Sequence, residues 1–369
     1  MRETLKAARR IVVKAGTSML TGPSGRVDRR RVHRLAADLV SLRSGGRDVA
    51  LVSSGAIAFG MDALGLTRRP KTLGALQACA AVGQGRLMHA YSQAFDRRGL
   101  PAAQMLLTRD GLESRSRFLA ARRTFEEVFK AGGIPVVNEN DTVATEEIAF
   151  GDNDVLSVHT AHLIRADLLI VLSDVDGFHL KDGSRVRAVG SIEEIDRDLV
   201  QHLRERRRET TVGGMGAKLE AARKAMRLGI PLLIVDGAAR GVLARAAAGE
   251  DTGTLFSAAG KITGARKRWI AFTAARKGTV VVDGGAVDAL ARNKSLLPSG
   301  VRSAEGAFEA GDIVEIARED GGVIGRGVAA YACPEIRRIA GKRSAQIEAA
   351  LGRKGKDEVI HRDDIVLWN

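Results

Sequence analysis

The sequence predicts an α/β protein in which a mostly parallel sheet is sandwiched by helices and a small, mainly β domain follows. Three observations predict this architecture. Short β-branched runs alternate with helical stretches through the first part of the chain. The length of 369 residues exceeds what one ordinary core requires. Beyond about residue 260 short strands and glycine turns replace the helices, so we predict a large domain over 1–260, a linker over 261–275, a small β domain over 276–354 and a C-terminal tail over 355–369.

The strands of the large domain are predicted from short apolar runs of the kind found in buried parallel strands. These runs occupy residues 10–14, 48–54, 102–107, 134–138, 167–172 and 231–236. The clearest helix spans 29–44, where apolar residues recur at helical spacing until Gly45. Further helices are expected in a long stretch ending near Arg98, at 116–130, after Asp154 and at 214–228. In such sheets ligands bind beyond the carboxyl ends of the strands.

The second domain is predicted from a change in pattern. Residues 264–278 are interpreted as a linker and a connecting strand. Short strands bounded by glycines are predicted within 279–285, 312–317 and 321–331. This segment therefore predicts a small β fold with few long helices.

The composition excludes several classes of protein. The longest apolar runs are far shorter than the roughly 20 residues that span a bilayer, so no membrane association is predicted. The charged N-terminal segment leads directly into a strand-like run, which predicts no export signal. Cys79 and Cys333 are the only cysteines, and they lie outside any CxxC spacing, so a disulfide framework is not expected. We therefore expect a soluble, cytoplasmic protein.

The net charge of +14 raises the possibility of a nucleic-acid partner. The basic residues are mostly spread along the chain, and the one dense run at 204–209 is interpreted as a solvated surface. Aromatic residues make up only 4% of the chain, so bases would find few stacking platforms. Charge alone does not decide between these interpretations.

Familiar catalytic motifs are missing from the sequence. It contains neither the GxxxxGK[ST] of P-loop enzymes nor a GxGxxG after a strand, which excludes the two commonest nucleotide-binding signatures. It also lacks GxSxG and HExxH, so a serine hydrolase or a zinc enzyme has no support.

Three polar segments, at 12–18, 138–154 and 212–218, form the candidate site. They supply two lysines, several carboxylates, side-chain amides and glycines that free backbone N–H groups. Lys14 ends a buried strand, and Lys218 opens a helix after a glycine-rich turn, where free N–H groups favour phosphate. Each feature has a structural alternative, because Lys14 could snorkel to the surface and Asp154 could merely cap a helix. Together they indicate phosphoryl transfer to a small acid, which requires positioning and positive charge.

Taken in order, several segments resemble the amino acid kinase family, and within it the members that phosphorylate glutamate. The segments are VVKAGTS, LVSSGAIAFG, AVGQGRL, QMLLTRD, VNENDTVATEEIAFGDND, LSDVDG, GGMGAK, KRWI, SLLPSGV and HRDD. The resemblance covers nearly the whole chain, and residues 276–354 resemble a PUA domain, a small β fold often found in RNA-modifying enzymes.

The resemblance implies a role for each matching position. Lys14, Lys218 and Asp154 are expected to be catalytic, with Asp154 orienting the lysines. The expected glutamate-binding residues are Ser54, Gly55, Asn138, Asp141 and Asn153, with Asp141 facing the α-ammonium group. The expected ATP-binding residues are Lys14, Ser173, Asp174, Val212, Gly213, Gly214, Met215, Gly216, Ala217 and Lys218. ATP and Mg²⁺ are the expected cofactors, with Mg²⁺ held by phosphate oxygens and no protein metal ligand predicted.

The implied reaction is the ATP-dependent formation of L-glutamyl 5-phosphate, the first step of proline synthesis from glutamate. Inhibition by proline, hand-off of the product to glutamyl phosphate reductase and assembly as a homo-oligomer are also expected. Two alternatives stay open: an amino acid kinase that acts on aspartate, acetylglutamate or a nucleotide, and an RNA-binding protein that acts through the PUA-like domain.

Three positions depart from the family's pattern. Val212 stands where Thr or Ser is usual, so one hydroxyl contact to the nucleotide is in question. Ser173 replaces a common Thr conservatively. His179 stands where Tyr is frequent, which affects the contacts expected around the base.

Overall fold

A computed structural model describes residues 2–143, 153–180, 182–199, 214–257, 265–272, 276–353 and 355–368. The chain divides into two compact units. The large unit lies within 1–261, apart from 113–115, and the small unit comprises 113–115 and 262–369. Within the described ranges, no helix combines the length and the apolar character needed to cross a membrane.

The large unit is built on an eight-stranded sheet. Its strands are β1 (Arg10–Ala15), β2 (Asp48–Ser53), β3 (Ala102–Leu107), β4 (Ile134–Glu139), β5 (Leu168–Ser173), β6 (Ala188–Val189), β7 (Leu232–Asp236) and β8 (Thr254–Phe256). Their order across the sheet is β3-β4-β2-β1-β5-β7-β8-β6. All neighbouring pairs are parallel except β7 and β8, so the predicted mostly parallel sheet is confirmed.

Strand β1 occupies the position that defines the site. It pairs with β2 on one side and β5 on the other, and Ala15 is in register with both Ser53 and Leu172. Chain order thus diverges to either side of β1, which opens a crevice at the carboxyl ends of the strands. Every residue of β5 is buried, and β1 is buried after its first residue, because helices cover both faces.

The helices of the large unit are α1 (Arg29–Ser44), α2 (Ala56–Ala63), α3 (Leu73–Asp96), α4 (Arg109–Glu113), α5 (Arg115–Lys130), α6 (Asn153–Leu163), α7 (Ile192–Glu194), α8 (Met215–Arg227) and α9 (Val242–Ala247). Short 3₁₀ turns lie at Arg2–Ala7, Thr17–Met19 and Asp141–Val143, and a π turn lies at Ile195–Leu199. Helix α6 is buried at every residue except His159, and it packs against β1, β2, β4 and β5.

The long helical stretch expected to end near Arg98 is two helices, α2 and α3, rather than one. Gly65 adopts a φ of +66° just after α2, and Pro70 lies in the connection, so the chain cannot continue as a helix there. The two helices then pack backbone to backbone. A Cβ at Gly60 would lie 1.8 Å from the carbonyl oxygen of Cys79, and one at Gly83 would lie 1.8 Å from that of Ala56.

The small unit contains a five-stranded sheet. Its strands are β9 (Arg276–Val282), β10 (Val301–Gly306), β11 (Ile313–Arg318), β12 (Val323–Val328) and β13 (Ile365–Leu367), in the order β10-β9-β11-β12-β13. Its helices are α10 (Ala265–Phe272), α11 (Gly284–Ala291), α12 (Cys333–Ile339) and α13 (Ile347–Leu351), with 3₁₀ turns at Pro298–Gly300, Ser344–Gln346 and Arg362–Asp364. The predicted small, mainly β domain is confirmed, and it has its own apolar core.

Two expectations for this part of the chain are wrong. Within the segment interpreted as a linker and connecting strand, residues 265–272 form α10, because Trp269 and Ile270 bury their side chains from one short helix, and strand β9 begins only at Arg276. The segment expected as a C-terminal tail contributes β13, which pairs with β12 and buries Ile365 and Val366.

Candidate active site

Two lysines converge on one buried carboxylate at the carboxyl end of β1. Lys14 Nζ lies 2.6 Å from Asp154 Oδ1, and Lys218 Nζ lies 3.9 Å from Asp154 Oδ2. The Asp154 side chain is only 2% exposed, and the Lys14 side chain 7%. Asp154 therefore does more than begin a helix: it is the shared counter-ion of both lysines. Two ammonium groups and one carboxylate leave a net positive charge, which suits a polyanion.

Helix α8 presents its N-terminus at Lys218. Gly214 is its N-cap residue, and Ala217 N and Lys218 N both donate to the Gly214 carbonyl oxygen. Among the described residues, no backbone oxygen accepts from the N–H groups of Met215 and Gly216. A Cβ built at Gly216 would meet nothing within 4 Å, so this end of the helix is open. Free N–H groups and the helix dipole make such an end a site for an anion.

The pKa of Lys218 is lowered in this site. Burial is the main cause and the Lys14 ammonium adds to it, while Asp154 and Asp174 oppose the shift. A partly desolvated ammonium that faces a second cation gains more from an incoming phosphate than an exposed lysine would.

A chain of side-chain amides lies beside the lysines, at the ends of β2 and β4. Asn153 Nδ2 donates to Ser54 Oγ at 2.8 Å and to Asn138 Oδ1 at 3.1 Å. Asn138 Nδ2 in turn donates to Gln84 Oε1 at 2.9 Å. Asn138 and Asn153 are 3% and 4% exposed. The structure thus brings together three of the predicted glutamate-binding residues and adds Gln84, which sequence reasoning missed although AVGQGRL had been singled out.

Asp141 lies in the 3₁₀ turn after β4, which packs against α3. Burial raises its pKa to about 6, and the Coulombic effect of Arg69 only partly opposes that shift. A half-buried carboxylate with a raised pKa binds a cationic group more favourably than an exposed one, because the partner restores its ionised form.

Gly55 lies just after β2 and Ser173 ends β5, the two strands on either side of β1. Gly55 follows β2 with a φ of +115°, a conformation that favours glycine, and caps α2. Ser173 is buried at the end of β5, and Asp174 beside it is exposed.

His179 is held within its own turn. Its Nδ1 lies 3.0 Å from the Gly183 carbonyl oxygen, and its Nε2 lies 2.6 Å from Asp176 Oδ1. The bond to Gly183, and then that to Asp176, raises the pKa of His179.

Some predicted positions lie outside the described residues. These are Val212 and Gly213, the loop from 144 to 152, and the basic run at 204–209. Gly16, which had no assigned role, lies next to the site: a Cβ there would be 3.6 Å from Lys14 Nζ.

The described residues include no group of three or more His, Cys, Asp or Glu side chains that could hold a metal ion. Mg²⁺ commonly uses one or two protein carboxylates plus substrate phosphates. A site with a single accessible carboxylate near Lys218 among the described residues therefore fits an ion that arrives with a nucleotide. Asp174 is the exposed carboxylate near Lys218.

Comparison with known proteins identifies the family of the chain. The profile of the Amino acid kinase family matches residues 9–236, and that of the PUA domain matches residues 278–351. The glutamate 5-kinase of Citrifermentans bemidjiense is 44% identical over 373 residues, covering 99% of both chains. That of Geobacter metallireducens is 46% identical over 367 residues, covering 98% of both. The UMP kinase of Bacillus anthracis, at 17% identity, overlaps 69% of this chain and 97% of its own with a TM-score of 0.47, too low to add to the assignment. The chain therefore belongs to the amino acid kinase family and, within it, to the glutamate 5-kinases.

Proposed function

We propose that the chain transfers the γ-phosphoryl group of ATP to the side-chain carboxylate of L-glutamate, forming L-glutamyl 5-phosphate for proline synthesis. One observation carries the proposal. A pair of lysines on a shared buried carboxylate lies at the same sheet edge as a cluster of amides suited to an amino acid. The site therefore has one half for phosphates and one half for a zwitterion.

The phosphate half consists of Lys14, Lys218 and the N-terminus of α8. In phosphoryl transfer, negative charge is spread over the transferring group, and fixed cations and N–H donors stabilise it without reorganisation. Asp154 holds both ammonium groups in place before the substrates arrive. We assign the nucleotide to this half, bounded by Ser173, Asp174 and the residues from Gly214 to Lys218, with Val212 and Gly213 as further proposed contacts.

The glutamate half consists of Ser54, Gly55, Asn138, Asp141 and Asn153. Asn153 uses both protons of its amide group on Ser54 and Asn138, which leaves its Oδ1 as a buried acceptor without a partner among the described residues. That acceptor and the Asp141 carboxylate suit an α-ammonium group, which offers three donors.

No general base is required in this reaction. The side chain of glutamate has an ordinary pKa of about 4.3, so it is already a carboxylate nucleophile at neutral pH. The remaining demand is to bring two anions together, and the lysines meet it by neutralising charge. Mg²⁺ bound to the phosphates would supply further neutralisation, with Asp174 as the protein carboxylate available to it.

An assay with glutamate, ATP, Mg²⁺ and hydroxylamine tests the proposal, because hydroxylamine traps an acyl phosphate as a hydroxamate. Hydroxamate and ADP should form together and only when glutamate is present. Aspartate, acetylglutamate and nucleoside monophosphates are the matched alternatives, and faster turnover of any of these would contradict the substrate assignment.

The PUA domain match favours RNA as a second ligand to test. A gel shift with structured RNA that weakens steeply with salt would support it, while the paired lysines would still require a phosphoryl donor.

The proposal extends to inhibition by proline, transfer of the product and assembly. Proline resembles cyclised glutamate and is proposed to compete at the glutamate half around Asp141, with residues 142–149 as further proposed contacts. The acyl phosphate product is labile, which suits hand-off to glutamyl phosphate reductase. We also propose that the protein assembles as a homo-oligomer.

Cys79 and Cys333 are both free and buried, which agrees with a reducing compartment such as the cytoplasm. The predicted boundary near residue 260, between a catalytic domain over 1–260 and a second domain after it, remains a proposal.

A further inference from the structure

Gln84 is placed at the glutamate half by the close approach of α2 and α3. Gly83 contacts the backbone of Ala56 and Gly60 so tightly that any side chain there would displace α2. Because Gln84 follows Gly83 directly, this packing brings its amide to the ends of β2 and β4. The AVGQGRL segment thus has a structural reason for its first glycine and a candidate role for its glutamine.

The hydrogen bonds of the amide chain fix the orientation of every member. Ser54 Oγ and Asn138 Oδ1 both accept from Asn153, and Gln84 Oε1 accepts from Asn138. An amide that accepts through its oxygen must turn its NH₂ group the other way. Gln84 therefore presents Nε2 away from Asn138, and this atom is buried with no acceptor among the described residues.

The hydrogen-bonded chain of amides ends in complementary groups. A buried donor, Gln84 Nε2, is left over at one end, and a buried acceptor, Asn153 Oδ1, is left over at the other. Buried polar atoms without partners are costly and uncommon, so a ligand that satisfies both is indicated. The α-carbon of an amino acid carries one group of each kind, an ammonium donor and a carboxylate acceptor.

We infer that Gln84 binds the α-carboxylate of the substrate through Nε2, and so determines specificity for a free α-carboxyl group. The inference rests on the proposed function, because it assumes that glutamate occupies this half of the site. Gln84 is a specificity-determining residue, and the phosphoryl group is transferred elsewhere, beside Lys14 and Lys218.

The test exchanges the donor for an acceptor. Gln84→Glu keeps the oxygen that accepts from Asn138 and replaces Nε2 by a carboxylate oxygen, which would repel an α-carboxylate. The kcat/KM for glutamate is compared with that for glutamate α-amide, which keeps the side-chain carboxylate but carries NH₂ donors at the α position. Losing a hydrogen bond to a charged group costs about 10-fold to 100-fold in kcat/KM, and the ratio of glutamate to α-amide turnover should fall by a similar factor.

Gln93→Glu is the matched control. It makes the same substitution on the same helix at an exposed position, and it should leave the ratio unchanged. If Gln84→Glu lowers the kcat/KM for glutamate and for its α-amide equally, or changes neither value, the assignment of Gln84 is overturned.

Gln84→Met keeps the inference falsifiable if the glutamate variant does not fold. Methionine has a similar length but no N–H donor, so it should raise the KM for glutamate while leaving the KM for ATP unchanged. An equal rise in both KM values would overturn the inference. A wild-type protein that forms no hydroxamate from glutamate would overturn the proposed function with it, whereas an active wild type with an unchanged Gln84→Glu ratio would overturn only the role of Gln84.

Discussion

Asp154→Asn is the substitution that should disturb the phosphate half most, because it removes one charge while keeping the size of the side chain. In the native protein this carboxylate lies 2.6 Å from Lys14 Nζ and 3.9 Å from Lys218 Nζ. Removing one partner of a buried ion pair typically costs about 3–5 kcal/mol, because the remaining charge is left uncompensated. Here two ammonium groups would lose their shared counter-ion. Asp154 and Asp174 are the groups that raise the pKa of Lys218 against burial, so that pKa should fall further.

The expected loss of stability is measurable. A loss of about 4 kcal/mol lowers the unfolding temperature of a domain of this size by about 10 °C, at roughly 2–4 °C per kcal/mol. ATP should then stabilise the variant more than the wild type, because its phosphates supply the missing negative charge. The kcat for hydroxamate formation should fall by about 10²-fold or more, since the lysines are no longer oriented.

Thermal unfolding with and without MgATP, followed by the hydroxamate assay, tests both effects. Asp62→Asn is the control, because it makes the same change at an exposed position on α2. An Asp154→Asn protein that unfolds at the wild-type temperature and gains no more from ATP would refute the view that both lysines depend on this carboxylate.

Further predictions concern individual site residues, regulation and the small unit. Lys14→Ala and Lys218→Ala should each lower kcat by about 10²-fold or more, and near-normal turnover in a folded variant would remove that lysine from the site. Asp141→Asn should raise the KM for glutamate much more than the KM for ATP. In the wild type the glutamate KM should rise as the pH falls through about 6, because protonation of Asp141 removes the counter-ion of the α-ammonium group; a flat profile between mild acid and neutral pH would contradict this. Millimolar proline should inhibit, and substitutions within 142–149 should relieve the inhibition, whereas indifference to proline would end that proposal. A protein truncated after Ser257 should still form hydroxamate, and a soluble but inactive truncation would show that the small unit is needed for catalysis.

The main sheet could be predicted from the sequence because its strands are short, β-branched and buried on both faces. The predicted strand at 10–14 is β1, Arg10–Ala15, and the predicted helix at 214–228 is α8, Met215–Arg227. Parallel topology then predicts that Lys14, Asn138 and Ser173 meet at one edge, as the structure shows. The bounds were predictable where glycine or a change of periodicity marks the end of an element.

Helix α10 could not be predicted in the same way. Its eight residues carry Trp269 and Ile270 as adjacent buried side chains rather than as a repeating helical pattern. Burial against the rest of the small unit decides its conformation, and local propensity is a weak guide for such a short segment. The break between α2 and α3, by contrast, has a signal in the sequence, because Gly65 and Pro70 are residues typical of turns.

The polarity of the amide chain also lay beyond sequence reasoning. Asn138 and Asn153 could be chosen as site residues, but an amide offers both a donor and an acceptor, and sequence does not say which of them faces the substrate. The structure fixes which amide atoms are already bonded: three linked bonds commit Asn153 Nδ2 and Gln84 Oε1 and leave Asn153 Oδ1 and Gln84 Nε2 without partners among the described residues. Each amide orientation depends on its neighbour, so replacing Asn138 by an apolar residue should free both Gln84 and Asn153 to rotate. The glutamate half would then lose its distinction between ammonium and carboxylate, while the lysines on Asp154 would keep their geometry. Under the proposed function, separate supports for the two halves would let the same site discriminate at the α-carbon and still apply its positive charge to the phosphoryl group.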